Sequence, residues 1–79
     1  MDNEATFEKF RACAVEILNV PSEKVTLEAN FANDLDADSL DLVELVMELE
    51  EVFSITVDES ELEGVETIGQ AYQLVTSKL

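Results

Sequence analysis

The chain has 79 residues, 47% of them hydrophobic, and a formal net charge of −15 at pH 7 from 19 acidic and 4 basic side chains. This length fits one domain with a small core, and the hydrophobic fraction is too high for a disordered acidic tail. With so few bases the chain cannot neutralise phosphates, so the composition argues against a nucleic-acid partner.

The composition also bears on location. No apolar run reaches membrane-spanning length, and the opening residues MDNEATFEKF lack the basic and apolar regions of a signal peptide. The lone cysteine, Cys13, cannot form an internal disulfide, which suits a reducing compartment. We therefore expect a soluble, cytoplasmic, monomeric protein without a membrane partner.

The acidic residues are unevenly distributed. From Val25 to Ser77 there are fourteen acidic residues and no Lys or Arg, and Lys78 is the only base after Lys24. Acids often serve solubility alone. A field of one sign over most of a small domain, however, costs stability through self-repulsion and steers basic patches on other proteins towards it.

The first predicted element is a helix from Asn3 to Leu18. Its apolar side chains recur at helical spacing: Phe7, Phe10, Ala14, Ile17 and Leu18. Val20 precedes a proline, which pushes it out of the α region and ends the helix. The long connection PSEKVTLEANFANDLDA follows, in which we expect Leu27, Phe31 and Leu35 to anchor the chain to the core. Such length without a periodic pattern is often functional.

A second helix is predicted from Ser39 to Phe53 and a third from about Thr67 to Ser77. The second has an inward apolar stripe made of Leu42, Leu45, Leu49, Val52 and Phe53. The third has four apolar residues at i, i+3, i+4 and i+7, namely Ile68, Ala71, Tyr72 and Val75. Between them, SITV is too short to support a sheet, and DESELEG indicates a brief helical turn that ends at Gly64. The prediction is one all-α domain over residues 1–79, a small bundle of three main helices plus one short helix.

Catalysis by this chain alone is not expected. It has no histidine, so Ser–His and Cys–His nucleophilic pairs are excluded, and it has no Gly-rich loop to cradle a nucleotide. Cys13 lies between Phe10 and Ile17 on the first helix, where a small buried hydrophobe is favoured over a reactive thiol.

One metal hypothesis arises and fails. Asp34, Asp36 and Asp38 match the first three ligand positions of an EF-hand calcium loop. Position six, which requires glycine, is Ser39, and position twelve, which requires glutamate, is Leu45. We therefore expect no specific metal site, only weak divalent-cation binding by the many carboxylates.

Ser39 stands at the predicted start of the second helix, within a run of acids. As a purely structural feature, Asp38 or Ser39 is the helix N-cap, with Asp41 placed favourably against the helix dipole. A helix N-terminus is also an anion site, where a serine hydroxyl could carry a phosphodiester. The residues alone leave both interpretations open.

The second helix carries a further row of apolar residues outside its inward stripe. These are Leu40, Val43, Val46 and Met47. They alternate with the acidic residues Asp41, Glu44, Glu48 and Glu51. An exposed row of this kind is typical of a docking face.

The stretch DLDADSLDLVELVMELEEVF resembles the signature of acyl carrier proteins, in which a D-S-L motif marks the serine that receives 4′-phosphopantetheine. The resemblance extends from Phe7, through LNVPSEKVTLEANF, to VETIGQAYQLV. It implies that Ser39 is the attachment site and that a phosphopantetheinyl transferase loads it from coenzyme A. Two positions depart from the family pattern. Asp36 stands where the family often has glycine, and Leu42 where many members have a polar residue.

The resemblance also implies which residues meet partner enzymes. They are Asp38, Leu40, Asp41, Val43, Glu44, Met47, Glu50 and Glu51. A pocket for the acyl chain is expected too, since burying each CH₂ contributes about 0.8 kcal/mol. Its candidate walls, each of which could equally be plain core, are Phe31, Leu45, Leu49, Phe53, Ile55, Leu62, Ile68, Ala71 and Tyr72.

We therefore predict a free-standing acyl carrier protein of dissociated (type II) fatty-acid synthesis. It would carry growing acyl chains as thioesters on the Ser39 arm and present them to synthesis enzymes that have basic docking patches. The acid-rich DADSLDLVELVMELEE and the start at Met1 favour this type. The alternatives are a polyketide or peptidyl carrier and, from a different class, an acidic interaction or calcium-binding domain without a cofactor.

Overall fold

The computed structural model describes residues 3–79. Its elements are three α-helices, α1 (Asn3–Leu18), α2 (Ser39–Phe53) and α3 (Ile68–Ser77), and two 3₁₀ turns, Ser22–Lys24 and Glu59–Leu62. Over these residues there is no β-strand, only one isolated antiparallel bridge between Asn30 and Thr67. The predicted all-α bundle is confirmed; its short fourth element is the Glu59–Leu62 turn, and the Ser22–Lys24 turn was not predicted. None of the described helices is long and apolar enough to cross a membrane.

Local sequence sets the ends of the helices. Asn19 and Ser54, which follow α1 and α2, both adopt left-handed backbone conformations, with φ of 58° and 56°. In this conformation the Ser54 N–H bonds back to the Glu50 carbonyl and closes the last turn. At the start of α3, the Thr67 hydroxyl accepts a hydrogen bond from the Gln70 N–H at 3.2 Å. Thr67 is therefore the N-cap of α3, and the helix proper begins one residue later than predicted.

The three helices share one core. Helix α1 packs against α2, and Tyr72 of α3 makes edge-on contacts with two rings of α1. Its ring centroid lies 5.0 Å from that of Phe7 and 5.5 Å from that of Phe10. The largest fully buried side chains are Phe10, Val25, Leu45, Leu49 and Ile68.

Backbone hydrogen bonds tie the long connection after α1 to the segment that leads into α3. The Phe31 N–H donates to the Glu66 carbonyl, and the Gly69 N–H donates to the Leu27 carbonyl, each at 2.9 Å. At Gly69 the two segments come so close that an added Cβ would lie 2.8 Å from the Leu27 carbonyl oxygen. Glycine is therefore required there, and the connection is fixed beside the start of α3.

Two of the three predicted anchors of this connection are buried. Phe31 and Leu35 lie in the core, as expected, but Leu27 is 54% exposed. Its carbonyl, not its side chain, makes the contact with α3. Val25 and Ala29, two residues to either side, are buried in its place.

Candidate functional site

Ser39 is the first residue of α2 and is exposed. The N-cap is Asp38, whose carboxylate accepts a hydrogen bond from the Asp41 N–H at 3.0 Å. The Asp41 carboxylate in turn accepts from the Asp38 N–H at 3.2 Å, which completes a reciprocal capping box. The Ser39 side chain forms no hydrogen bond to another described residue. Of the two interpretations left open by the sequence, capping therefore belongs to Asp38, and the serine hydroxyl is left available.

The loop before α2 is held in shape by Asn30. Its side-chain oxygen accepts hydrogen bonds from the Ala32 and Asn33 N–H groups at 2.9 and 3.0 Å. Its own N–H donates to the Asp34 carboxylate at 2.7 Å. These bonds form a tight turn that brings the chain back towards α2.

Asp36 completes the approach to Ser39. Its φ of 56° lies in the left-handed region, where Asp is better tolerated than most residues. The reversal lets the Ala37 N–H donate to the Phe31 carbonyl at 2.7 Å and places the Ala37 side chain in the core. Asp36, which stands where the family often has glycine, thus has a backbone conformation that glycine adopts most easily.

Two surface grooves meet at Ser39. The loop-side groove, of about 530 Å³, lies between the loop at residues 30–38 and the residue pair 65–66. Its apolar lining residues are Phe31, Ala37, Leu42, Leu62 and Val65. The turn-side groove, of about 520 Å³, lies between α2 and the Glu59–Leu62 turn. Ser39, Leu42 and Leu62 line both grooves, so the two leucines form the wall between them.

Seven of the nine predicted pocket residues line neither of the two grooves beside Ser39. The other two, Phe31 and Leu62, line the loop-side groove. Leu45, Leu49 and Ile68 are fully buried and Ala71 is nearly so, while Phe53, Ile55 and Tyr72 are half-buried and pack against the same core. In this conformation these seven residues belong to the core or pack against it, and a role as pocket walls stays a prediction for them. Ala37 and Val65 also line the loop-side groove, although the sequence did not mark them as pocket walls, and Leu42, which was expected in the inward stripe of α2, lines both grooves.

The predicted docking residues of α2 form a partly exposed face. Leu40 and Met47 are 64% and 60% exposed, and Asp38, Glu44 and Glu51 are also exposed. Asp41 and Val43 are half-buried. We call these seven residues the α2 face. Next to it, Met47 lines a small notch of about 280 Å³ together with Ile17, Glu44, Glu48 and Glu51.

The structure differs from expectation at three side chains of α2. Val46, placed in the exposed row, is only 7% exposed. Glu50, expected to face partner enzymes, is half-buried, and its carboxylate accepts a hydrogen bond from the Val57 N–H at 2.7 Å. Its side chain secures the segment after α2. Val52, predicted to point inwards, is 41% exposed.

The chain's own thiol is poorly suited to chemistry. Cys13 is buried in α1, and burial raises the pKa of its thiol, with smaller contributions from the nearby Glu48 and Glu16 carboxylates. The thiolate, which is the reactive form, is therefore disfavoured. Among residues 3–79, no three His, Cys, Asp or Glu side chains are grouped so that they could hold a metal ion.

A phosphodiester on Ser39 is compatible with its surroundings. The first turn of α2 presents the positive end of the helix dipole, which favours an anion. The carboxylates of Asp36, Asp38 and Asp41 oppose it, but the first two are exposed and the third half-buried, so water and salt screen the repulsion. The grooves on either side of Ser39 leave room for a flexible arm.

Comparisons with known proteins agree with this geometry. The family described as "Phosphopantetheine attachment site" matches residues 8–75, a range that contains both grooves, the α2 face and Ser39. The chain is 43% identical over 79 residues to the acyl carrier protein of Petrotoga mobilis (strain DSM 10674 / SJ95). That alignment covers 100% of this chain and 93% of the relative.

Proposed function

The chain belongs to the acyl carrier proteins, and from this premise we propose that it carries acyl chains as thioesters on 4′-phosphopantetheine attached to Ser39. The cofactor supplies the thiol that bears the acyl group, a role for which the buried Cys13 is unsuited. We further propose that the chains are those of fatty-acid synthesis and that the protein works as a cytoplasmic monomer.

The observation that carries the assignment to Ser39 is its exposed hydroxyl, which lies at the start of a 15-residue helix and forms no hydrogen bond with another described residue. The other serines lack this setting. Ser22 begins a three-residue turn, Ser54 ends α2, and Ser60 lies within the Glu59–Leu62 turn. The Ser77 hydroxyl already donates a hydrogen bond to the Leu74 carbonyl at 2.7 Å.

Loading requires a partner enzyme. The Ser39 oxygen would attack the pyrophosphate of coenzyme A, forming an oxygen–phosphorus bond and displacing the nucleotide part. We propose that the base that takes the hydroxyl proton comes from the phosphopantetheinyl transferase, because the chain has no histidine and the Asp38 and Asp41 carboxylates already accept the hydrogen bonds of the capping box. The acids of the α2 face suit such a partner if it carries a basic patch.

The test is mass spectrometry after incubation with the transferase, Mg²⁺ and coenzyme A. We expect one phosphopantetheine adduct on the natural chain and none on Ser39→Ala. The fold should persist in this variant, since Asp38 provides the cap. Ser60→Ala, which changes a serine beside the turn-side groove, is the matched control and should load normally. An adduct on Ser39→Ala would place the site elsewhere, and a natural chain that never gains one would refute the carrier proposal.

The pathway is tested by the load that the protein carries in its own host. Intact-mass analysis should find linear chains that differ by two-carbon units, as expected of fatty-acid synthesis. A load of branched polyketide intermediates or of amino acids would contradict that assignment while leaving the attachment to Ser39 intact.

A further inference from the structure

An ion pair joins the end of α3 to the Glu59–Leu62 turn. Lys78 Nζ lies 2.8 Å from Glu61 Oε2. The two side chains are only 27% and 33% exposed, so solvent screens the pair less than a fully exposed one. Lys78 is also the only Lys or Arg from Val25 to Leu79, a stretch with fourteen acidic residues. The one basic side chain of this stretch therefore pairs with one of its fourteen acidic side chains, Glu61.

The ion pair acts on the backbone of the turn. The Glu61 oxygen that contacts Lys78 also accepts a hydrogen bond from the Asp58 N–H at 2.9 Å, and this closes the capping box of the turn. The Lys78 ammonium, and after it the Asp58 N–H, lower the pKa of the Glu61 carboxyl. A lowered pKa in the folded state means that this stabilisation is present at neutral pH and is lost as the pH falls through that pKa.

The Glu59–Leu62 turn determines the position of the Leu62 side chain. This side chain forms the wall between the loop-side and turn-side grooves together with Leu42. Leu42 is fixed on α2 and packs against the hydrophobic core, whereas Leu62 is not among the half-buried hydrophobic side chains that do so within the described residues. The place of Leu62 therefore depends on the conformation of the turn and on the contacts that hold it.

We propose that Lys78 is a positioning residue for the wall between the two grooves: through Glu61 it holds the Glu59–Leu62 turn so that Leu62 closes over the space beside Ser39. Loss of the ion pair loosens the turn and opens the wall between the two grooves. The consequence for a bound acyl chain rests on the proposed function, whereas the effect on the turn does not.

The first experiment uses the chain without its arm. Lys78→Gln should speed amide hydrogen exchange at Glu63 and Val65, whose N–H groups bond within or just after the turn. We expect a change of about two- to fivefold at low salt, the range for an ion pair of this kind. The Leu62 methyl signals should shift, and Lys78→Arg should restore both readouts.

Two further variants separate positioning from general stability. Lys9→Gln removes the same charge from an exposed residue of α1 and should leave the turn unchanged. Glu61→Gln keeps an oxygen for the Asp58 N–H but removes the ion pair, so it should match Lys78→Gln, and the double variant should add nothing. Unchanged exchange at the turn, or an equal acceleration throughout the core, would overturn the proposal.

The second experiment uses the chain loaded with an octanoyl thioester. Cleavage by hydroxylamine should be faster in Lys78→Gln than in the natural chain and Lys9→Gln, because Leu62 no longer covers the bound chain. Equal or slower cleavage would overturn the closing role of Leu62. If Ser39 does not take the arm, no loaded protein forms, and the exchange measurements still decide the role of Lys78.

Discussion

Helix capping by Asp38 and the proposed cofactor attachment at Ser39 fall on neighbouring residues. When a serine caps a helix, its side-chain oxygen accepts a hydrogen bond from a backbone N–H in the first turn, which fixes the side chain in place. Here the Asp38 and Asp41 carboxylates each accept a hydrogen bond from the other residue's N–H, and so the hydroxyl of Ser39 can be modified without loss of the helix start. The sequence could not choose between the two residues, because Asp and Ser are equally good caps and the choice depends on which one is in the extended conformation.

Asp36 is the residue whose backbone we expect to limit stability near the site. For an ordinary side chain, the left-handed conformation costs about 1–2 kcal/mol. Asp36→Gly and Asp36→Ala both remove the carboxylate, so the difference between their free energies of unfolding gives the cost of the left-handed backbone conformation. We expect the glycine variant to be more stable than the alanine variant by about 1–2 kcal/mol in urea unfolding.

Equal stability of the two variants would show that the loop adjusts its backbone at no cost. The natural chain should lie between them, because Asp tolerates φ of 56° better than alanine does. Removal of one negative charge from an acidic region adds the same small benefit to both variants and does not affect the comparison.

At the scale of elements, periodicity predicted the helices well and their exact rotation less well. The bounds of α1 and α2 match the predictions, because proline, capping residues and apolar spacing act locally. Val46 was placed on the exposed side, yet it is only 7% exposed. Periodicity gives the direction of an apolar stripe about 100° wide. It does not show whether an apolar residue at either edge of that stripe points inwards or outwards.

The connection and the grooves were harder to predict for a different reason. Leu27 looked like an anchor because it is large and apolar, yet its carbonyl makes the contact with Gly69 and its side chain remains exposed. Val65 lines a groove only because the Asn30–Thr67 bridge brings its segment beside the loop before α2. Contacts between segments so far apart in the chain leave no local signal.

The α2 face leads to a prediction about docking. Glu44→Lys reverses an exposed charge beside Met47 and should raise the KM of loading by the transferase about three- to tenfold at low salt, with less effect at high salt, since steering of this kind is screened. Glu23→Lys makes the same change on the exposed Ser22–Lys24 turn and is the matched control.

The helical far-UV signal should be unchanged in both variants. If Glu44→Lys and Glu23→Lys have equal effects, docking responds to the net charge and not to the α2 face. Glu50→Lys is unsuitable as a docking variant, because it would remove the hydrogen bond to the Val57 N–H and alter the fold.

At the scale of the whole molecule, the chain has a net charge of −15, and its described residues form a body of 29 × 27 × 19 Å. At 0.01 M ionic strength the Debye length is about 30 Å, so every carboxylate repels every other across the domain. At 1 M it is about 3 Å, and only direct neighbours interact. Only two ion pairs offset this repulsion among the described side chains, Arg11–Glu8 and Lys78–Glu61.

The fold should therefore become more stable as salt is added. Between 0.01 M and 1 M NaCl we expect the melting temperature to rise by at least about 5 °C, which corresponds to roughly 1 kcal/mol for a domain of this size. Salt also strengthens burial of apolar groups, and a charge variant separates the two effects. Replacing the exposed Glu44 and Glu51 by Gln removes two charges without changing the core, so this variant should melt higher at low salt and gain less from NaCl. An identical rise in melting temperature in both proteins would mean that repulsion among the acidic residues does not destabilise the fold.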